Sequence, residues 1–160
     1  MLAGVVSNTE GRADAMRAAG DLLRGCGAEI LIHTGDVGGR HVLDAMAEFD
    51  SVFVWGDADK DRMGLLRHAQ RIGVACSGML ADFALDDKRI AVIHGDDRKL
   101  LQRLVDEQQY DYLLYGHGHT PEERVVGKTK IVHPGSMYGA PVRTVALLDT
   151  ASGEVRRLTV

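Results

Sequence analysis

Short apolar runs alternate with helix-like stretches through the first third of the chain, and this rhythm restricts the fold more than any other feature of the sequence. Leu2–Val6 reads as a buried strand, and Arg12–Arg24 carries apolar residues at Ala15, Met16, Ala19, Leu22 and Leu23 in a helical period. Ile30–Ile32, His41–Ala47 and Val52–Val54 continue the series as strand, helix and strand. Strands that alternate with helices predict a mostly parallel sheet built from crossover units, hence an α/β fold. The remainder is richer in hairpins. Ala81–Leu85 and Arg89–Ile93 flank Asp86-Asp87-Lys88, a helix is expected over Lys99–Gln108, and Tyr112–Tyr115 reads as a further buried strand. Two more pairs complete the chain, Arg124–Val126 with Thr129–Val132 and Thr144–Leu148 with Val155–Thr159. No repeat or linker interrupts the 160 residues, so a single domain over 1–160 is expected.

In such sheets ligands bind beyond the carboxyl ends of the strands. The residues just past each apolar run are therefore informative. Asn8 and Glu10 come after the first, Gly35-Asp36 after the second, and Gly56-Asp57-Ala58-Asp59 after the third. His94-Gly95-Asp96 comes after the run ending at Ile93, and Gly116-His117-Gly118-His119 after Tyr115. One polar turn would be ordinary. Five strand ends that each supply oxygen or imidazole donors form a pattern. Asn8, Glu10, Asp36, Asp57, His94, His117 and His119 on one rim would gather three carboxylates, a carboxamide and three imidazoles. Carboxylates packed together repel one another. Two divalent cations would remove that repulsion and use every group, and the mixed donor set suits Mn, Fe or Zn better than Ca.

Composition narrows the partners. The net charge of -4 argues against stable nucleic-acid binding by phosphate neutralisation. Cys26 and Cys76 are too few for a disulfide framework, and Met1–Val6 lacks a basic stretch and ends at Ser7. A cytoplasmic protein with no membrane association is expected, and association into a homo-oligomer stays open. His33, His41 and His68 read as structural or surface residues, whereas His133 lies where it could line a pocket.

The motifs resemble those of the calcineurin-like metallophosphoesterases, in particular their short single-domain bacterial and archaeal branch. Gly35-Asp36 and Gly116-His117-Gly118-His119 carry the resemblance most specifically, and His133-Pro134-Gly135-Ser136 looks like the family's N-P-G-S segment. The resemblance implies a four-layer α/β/β/α sandwich of two mixed sheets flanked by helices. It also implies two metals, bridged by Asp36 and by a hydroxide that attacks the phosphorus of a small phosphoester. Asn8, Glu10 and His119 would serve one metal; Asp57, His94 and His117 would serve the other. Three positions depart from the family pattern. Asn8 replaces Asp, Glu10 replaces His, and Asp57 replaces Asn, so a carboxylate and a carboxamide exchange places between the two metals. Larger relatives carry a general-acid histidine where this chain has Ala58, which leaves Asp59 and Asp96 as candidate proton donors. A similar exchange in the small retromer subunit, a scaffolding member of the family, supplies the alternative reading of a non-catalytic interaction protein.

Overall fold

The computed structural model describes residues 1–160. Leu2–Val6 (β1), Ile30–His33 (β2) and Asp50–Phe53 (β3) run parallel to one another, separated by helices α1 (Ala13–Gly25) and α2 (Arg40–Met46). Helix α3 (Arg62–Ile72) leads into the short β4 (Ala75–Cys76). The hairpin of β5 (Leu80–Leu85) and β6 (Lys88–Ile93) comes next, succeeded by α4 (Arg98–Glu107) and β7 (Tyr112–Leu114). Two hairpins complete the chain, β8 (Glu122–Val126) with β9 (Thr129–His133) and β10 (Thr144–Asp149) with β11 (Val155–Thr159). The strands form two mixed sheets, ordered β11-β10-β1-β2-β3-β4 and β5-β6-β7-β9-β8.

Side-chain alternation assembles the layers. On β2, Leu31 packs under α1–α3 with Met16, Leu23, Leu43 and Phe53, whereas Ile32 turns to the opposite face. There it meets Val5 and Val54 from its own sheet and Ile90, Val92 and Leu114 from the other. Ala91 and Ile93 point away from that interface and pack with Leu104 and Val105 of α4. A strand covered on both faces must be apolar at successive positions, which is why these segments read as unbroken apolar runs. Burying each such Leu, Ile or Val contributes about 1.5–3 kcal/mol. The result is three helices, two sheets and one helix in layers, the four-layer sandwich implied by the family resemblance.

The structure adds two elements, α3 and β4, to a stretch in which the sequence reading assigns none. Only Gly64, Leu65 and Ala69 of α3 are buried, so its apolar stripe is thin. Tertiary contact and a cap define it instead, with the Asp61 carboxylate accepting from Gly64 N at 3.0 Å. The first long hairpin also differs from the sequence reading. Lys88 belongs to β6 and the turn is the pair Asp86-Asp87, with Asp86 in the left-handed region at φ 52°. No helix is long and apolar enough to cross a membrane.

Candidate metal centre

The inter-sheet core brings the carboxyl ends of β1, β2, β3, β6 and β7 to one edge of the sandwich, and their turns interlock. Asn8 N donates to Gly35 O at 3.1 Å and Glu10 N to Asp36 O at 2.9 Å. Within the other sheet, Gly116 N donates to His94 O at 2.8 Å. Between them lies a cleft of about 490 Å³ lined by Asn8, Glu10, Asp36, Asp57, His117 and His119, together with Ala58 and Gly118. His94 forms part of its floor, being 1% exposed and in contact with Asp36 and Asp57. All seven residues expected on the rim are therefore brought together.

The backbone there is unusual. Asn8, Glu10 and Asp36 occupy the left-handed region at φ 53°, 44° and 58°, and they are three of only five non-glycine residues to do so. For a residue with a Cβ this costs about 1–2 kcal/mol. Strain of this kind concentrates at functional sites, where the surrounding structure fixes it.

Four lone-pair groups converge in the cleft. His94 Nδ1 lies 2.9 Å from Thr34 O, a carbonyl that can only accept, so the proton sits on Nδ1 and Nε2 faces the cluster. From Nε2, Asp57 Oδ1 is 3.1 Å away, Asp36 Oδ2 3.3 Å and His117 Nδ1 3.4 Å. Asp57, His94 and His117 offer ligand atoms that all lie within 4.8 Å of one another. An imidazole fixed through its far nitrogen by a carbonyl is the usual support for a metal-binding histidine. The chain's residues thus fit a transition-metal ion at Asp57, His94 and His117, with Asp36 alongside. The Glu10 and His119 side is looser, and no second trio of carboxylate or imidazole atoms falls within that distance.

Electrostatics agree with this arrangement. Burial pulls the His94 imidazole towards lower pKa, but Asp36, the Thr34 carbonyl and Asp57 outweigh it and raise the value. Burial pushes the Asp36 carboxyl up, yet contact with His94 and the Ala58 N–H hold it below its ordinary value. Glu10 is raised, first by burial and then by repulsion from Asp36, with Arg12 and His119 opposing. Each of these groups is thus perturbed by the neighbours a cation would replace or balance.

Asn8 has a second role beside the expected one, and the expected proton donors need correction. Asn8 Nδ2 donates to Gly116 O at 2.9 Å and Gly118 O at 2.8 Å, the two carbonyls that bracket His117, and Asn8 Oδ1 is 3.1 Å from Ser7 Oγ. Its amide clamps the β7–β8 turn, and only Oδ1 remains to face an ion. A carboxylate could not make those two donations. Asp59 is 2% exposed, and its oxygens accept from Asp36 N at 3.1 Å, Gly56 N at 2.9 Å and Gly38 N at 2.8 Å. Both oxygens are engaged by backbone amides, and a proton donor must instead reach the departing group. Asp59 therefore positions Asp36 and does not reach the cleft. Asp96 is exposed and absent from the cleft lining, so it too is out of place for proton transfer.

His133 is 3% exposed, its Nδ1 accepting from Gly135 N at 2.9 Å, so it shapes a turn instead of lining the cleft. His33 is fully buried against Thr9, and burial lowers its pKa to about 3. Two site-building residues escape a reading of the sequence, Ser7 and Thr34. Both act through a hydroxyl or carbonyl on a cross-sheet neighbour, a contact with no local signature.

The sandwich and the carboxylate–imidazole cluster at its strand ends define the class, a fold of the metallophosphoesterase kind. The model of the calcineurin-like phosphoesterase superfamily domain matches residues 1–153, and the chain belongs to that family. Phosphodiesterase MJ0936 of Methanocaldococcus jannaschii is 24% identical over 167 residues, an alignment covering 100% of this chain and 99% of that protein. A solved archaeal phosphodiesterase superposes with a TM-score of 0.93 at 23% identity, covering 100% of both chains. Vps29 from Entamoeba histolytica, solved with zinc, superposes at 0.63 and 18% identity, covering 100% of this chain and 98% of that one.

Proposed function

We propose that the chain hydrolyses phosphodiesters and activated phosphomonoesters of small molecules with two divalent transition-metal ions. The observation that carries this reading is the convergence of Asp36, Asp57, His94 and His117, with His94 Nδ1 fixed to Thr34 O at 2.9 Å. Asp57, His94 and His117 would hold one ion; Glu10, His119 and the Asn8 oxygen would hold the other, with Asp36 between them. When bound, such ions neutralise developing phosphate charge and lower the pKa of water into the neutral range. The phosphodiesterase names of the relatives support the same reaction class.

The chain's own residues set the substrate preference. Ala58 lines the cleft at the position where the family resemblance implies a proton donor, and Asp59 is fixed on three amides. The leaving group must therefore depart largely unprotonated, which favours stable phenolates over alkoxides. Hydrolysis of aryl phosphodiesters should slow steeply as leaving-group pKa rises. A flat dependence would show that another residue supplies the proton.

The primary test is metal content by mass spectrometry together with turnover of bis-p-nitrophenyl phosphate. Protein loaded with Mn²⁺ or Zn²⁺ is expected to hold close to two ions per chain and to hydrolyse the diester. Asp36→Ala should lose both ions and His119→Ala one. Absence of bound metal after loading would overturn the enzyme reading in favour of an interaction scaffold.

A further inference from the structure

A second cavity, of about 300 Å³, opens beside the metal centre and shares His117 with it. Gly95, the residue after His94, borders this cavity too. It sits at φ +101°, and a Cβ there would come within 3.0 Å of the Tyr115 ring, so glycine lets that ring close onto the turn after β6. The wall is of two kinds. Leu101 and Val105 of α4 and the Tyr115 ring supply an apolar side. Arg98, at the start of α4, and Arg124, on β8, supply positive charge.

The two arginines are differently placed. Arg98 forms no ion pair and no side-chain hydrogen bond, so its guanidinium is free to meet an anion. Arg124 is oriented by Glu122, whose Oε1 lies 3.0 Å from Arg124 Nε. The other Glu122 oxygen accepts from the Tyr115 hydroxyl, so a Tyr115–Glu122–Arg124 chain fixes this guanidinium. Glu122 cancels one of the two charges, and the uncancelled one is on Arg98. Nothing in the metal chemistry uses either arginine. An apolar wall with guanidinium groups, one residue away from the reacting centre, suits an ester arm with an organic body and an anionic end.

We propose that this cavity binds a second phosphate of the substrate, carried on a ring-sized organic arm of the scissile diester, with Arg98 as its principal contact and Arg124 as a preset second one. The substrate class is then a phosphoester with two separated phosphates, as in a nucleoside bisphosphate. This rests on the phosphoesterase reading for which phosphate is cleaved, but the binding claim can be measured apart from it.

The test compares p-nitrophenyl thymidine 5′-phosphate with the same diester carrying a 3′-phosphate. A charge-assisted contact predicts a preference in kcat/KM of about tenfold or more for the bisphosphate, expressed mainly in KM. Arg98→Gln should abolish most of that preference and Arg124→Gln part of it, with unfolding curves confirming that both variants fold. Equal turnover of the two diesters, or an equal fractional loss on both in Arg98→Gln, would overturn the proposal. Calorimetry with thymidine 3′,5′-bisphosphate and thymidine 5′-phosphate, in the presence of Mn²⁺, separates the two claims. If no diester is cleaved, tighter Arg98-dependent binding of the bisphosphate still upholds the cavity assignment. Equal binding of the two nucleotides overturns it whatever the hydrolysis assay shows.

Discussion

Asn8 shows how one atom changes the meaning of a site residue. By sequence it is a neutral substitute for a metal-binding carboxylate; in the structure its Nδ2 bridges Gly116 O and Gly118 O at 2.9 and 2.8 Å. Asn8→Asp would replace two donations with two repulsions in a residue only 3% exposed. In metal-free protein this should lower unfolding stability by about 1–3 kcal/mol, measured by urea titration. Saturating Mn²⁺ should recover part of the loss, because a new carboxylate is then offered to the ion. Unchanged stability without metal would mean that the clamp contributes nothing. Asp59 separates structural from chemical roles in the same way. Asp59→Ala would strip a partner from three backbone amides, at Gly38, Asp36 and Gly56, and is expected to cost about 2–4 kcal/mol of stability. A variant that kept full stability but lost turnover would restore Asp59 as the proton donor.

At the scale of elements, the five strand-end turns are legible in sequence because each combines an apolar run with a ligand-type residue beside a glycine. Their mutual fit is not. Gly116 marks the point where β7's turn crosses to the first sheet, and a Cβ there would lie 2.0 Å from Ser7 Oγ and 2.2 Å from Thr34 Oγ1. Gly116→Ala should therefore destabilise the fold by about 1–3 kcal/mol and weaken metal binding through His117. Isothermal titration with Zn²⁺ on the variant checks this, and wild-type affinity would show that the turn can shift at no cost. Helix α4 is readable because Leu100, Leu101, Leu104 and Val105 recur at helical spacing and pack in one cluster, completed by the Asp97 cap that accepts from Lys99 N and Leu100 N at 3.0 Å. Helix α3 is not, because Arg62, Arg67, His68, Gln70 and Arg71 dilute its apolar positions and Gly64 lowers its helix propensity.

Across the whole molecule, the two sheets meet face to face and hold opposite halves of one acidic and imidazole-rich rim. Asp57, His94 and His117 are already gathered, whereas Glu10 and His119 lie in the same cleft without forming a comparable group. Metal titration should accordingly show two unequal steps, a tight one lost in His94→Ala and a weaker one lost in Glu10→Ala. A single step of two equivalent ions would contradict the asymmetry. Sequence by itself determined the strand–helix order apart from α3 and β4, the seven rim residues, the family and the likeness to its two-metal chemistry, because apolar periodicity and strand-end motifs are encoded within a few residues of one another. Only the tertiary structure decided what each rim group does. Asn8 reaches Gly116 across 108 positions and His94 reaches Thr34 across 60, and such contacts exist only once the inter-sheet core has closed. A hydrogen bond's partner is set by where the backbone comes to rest, and here that depends on Val5, Ile32, Ile90, Val92 and Leu114 packing between the sheets.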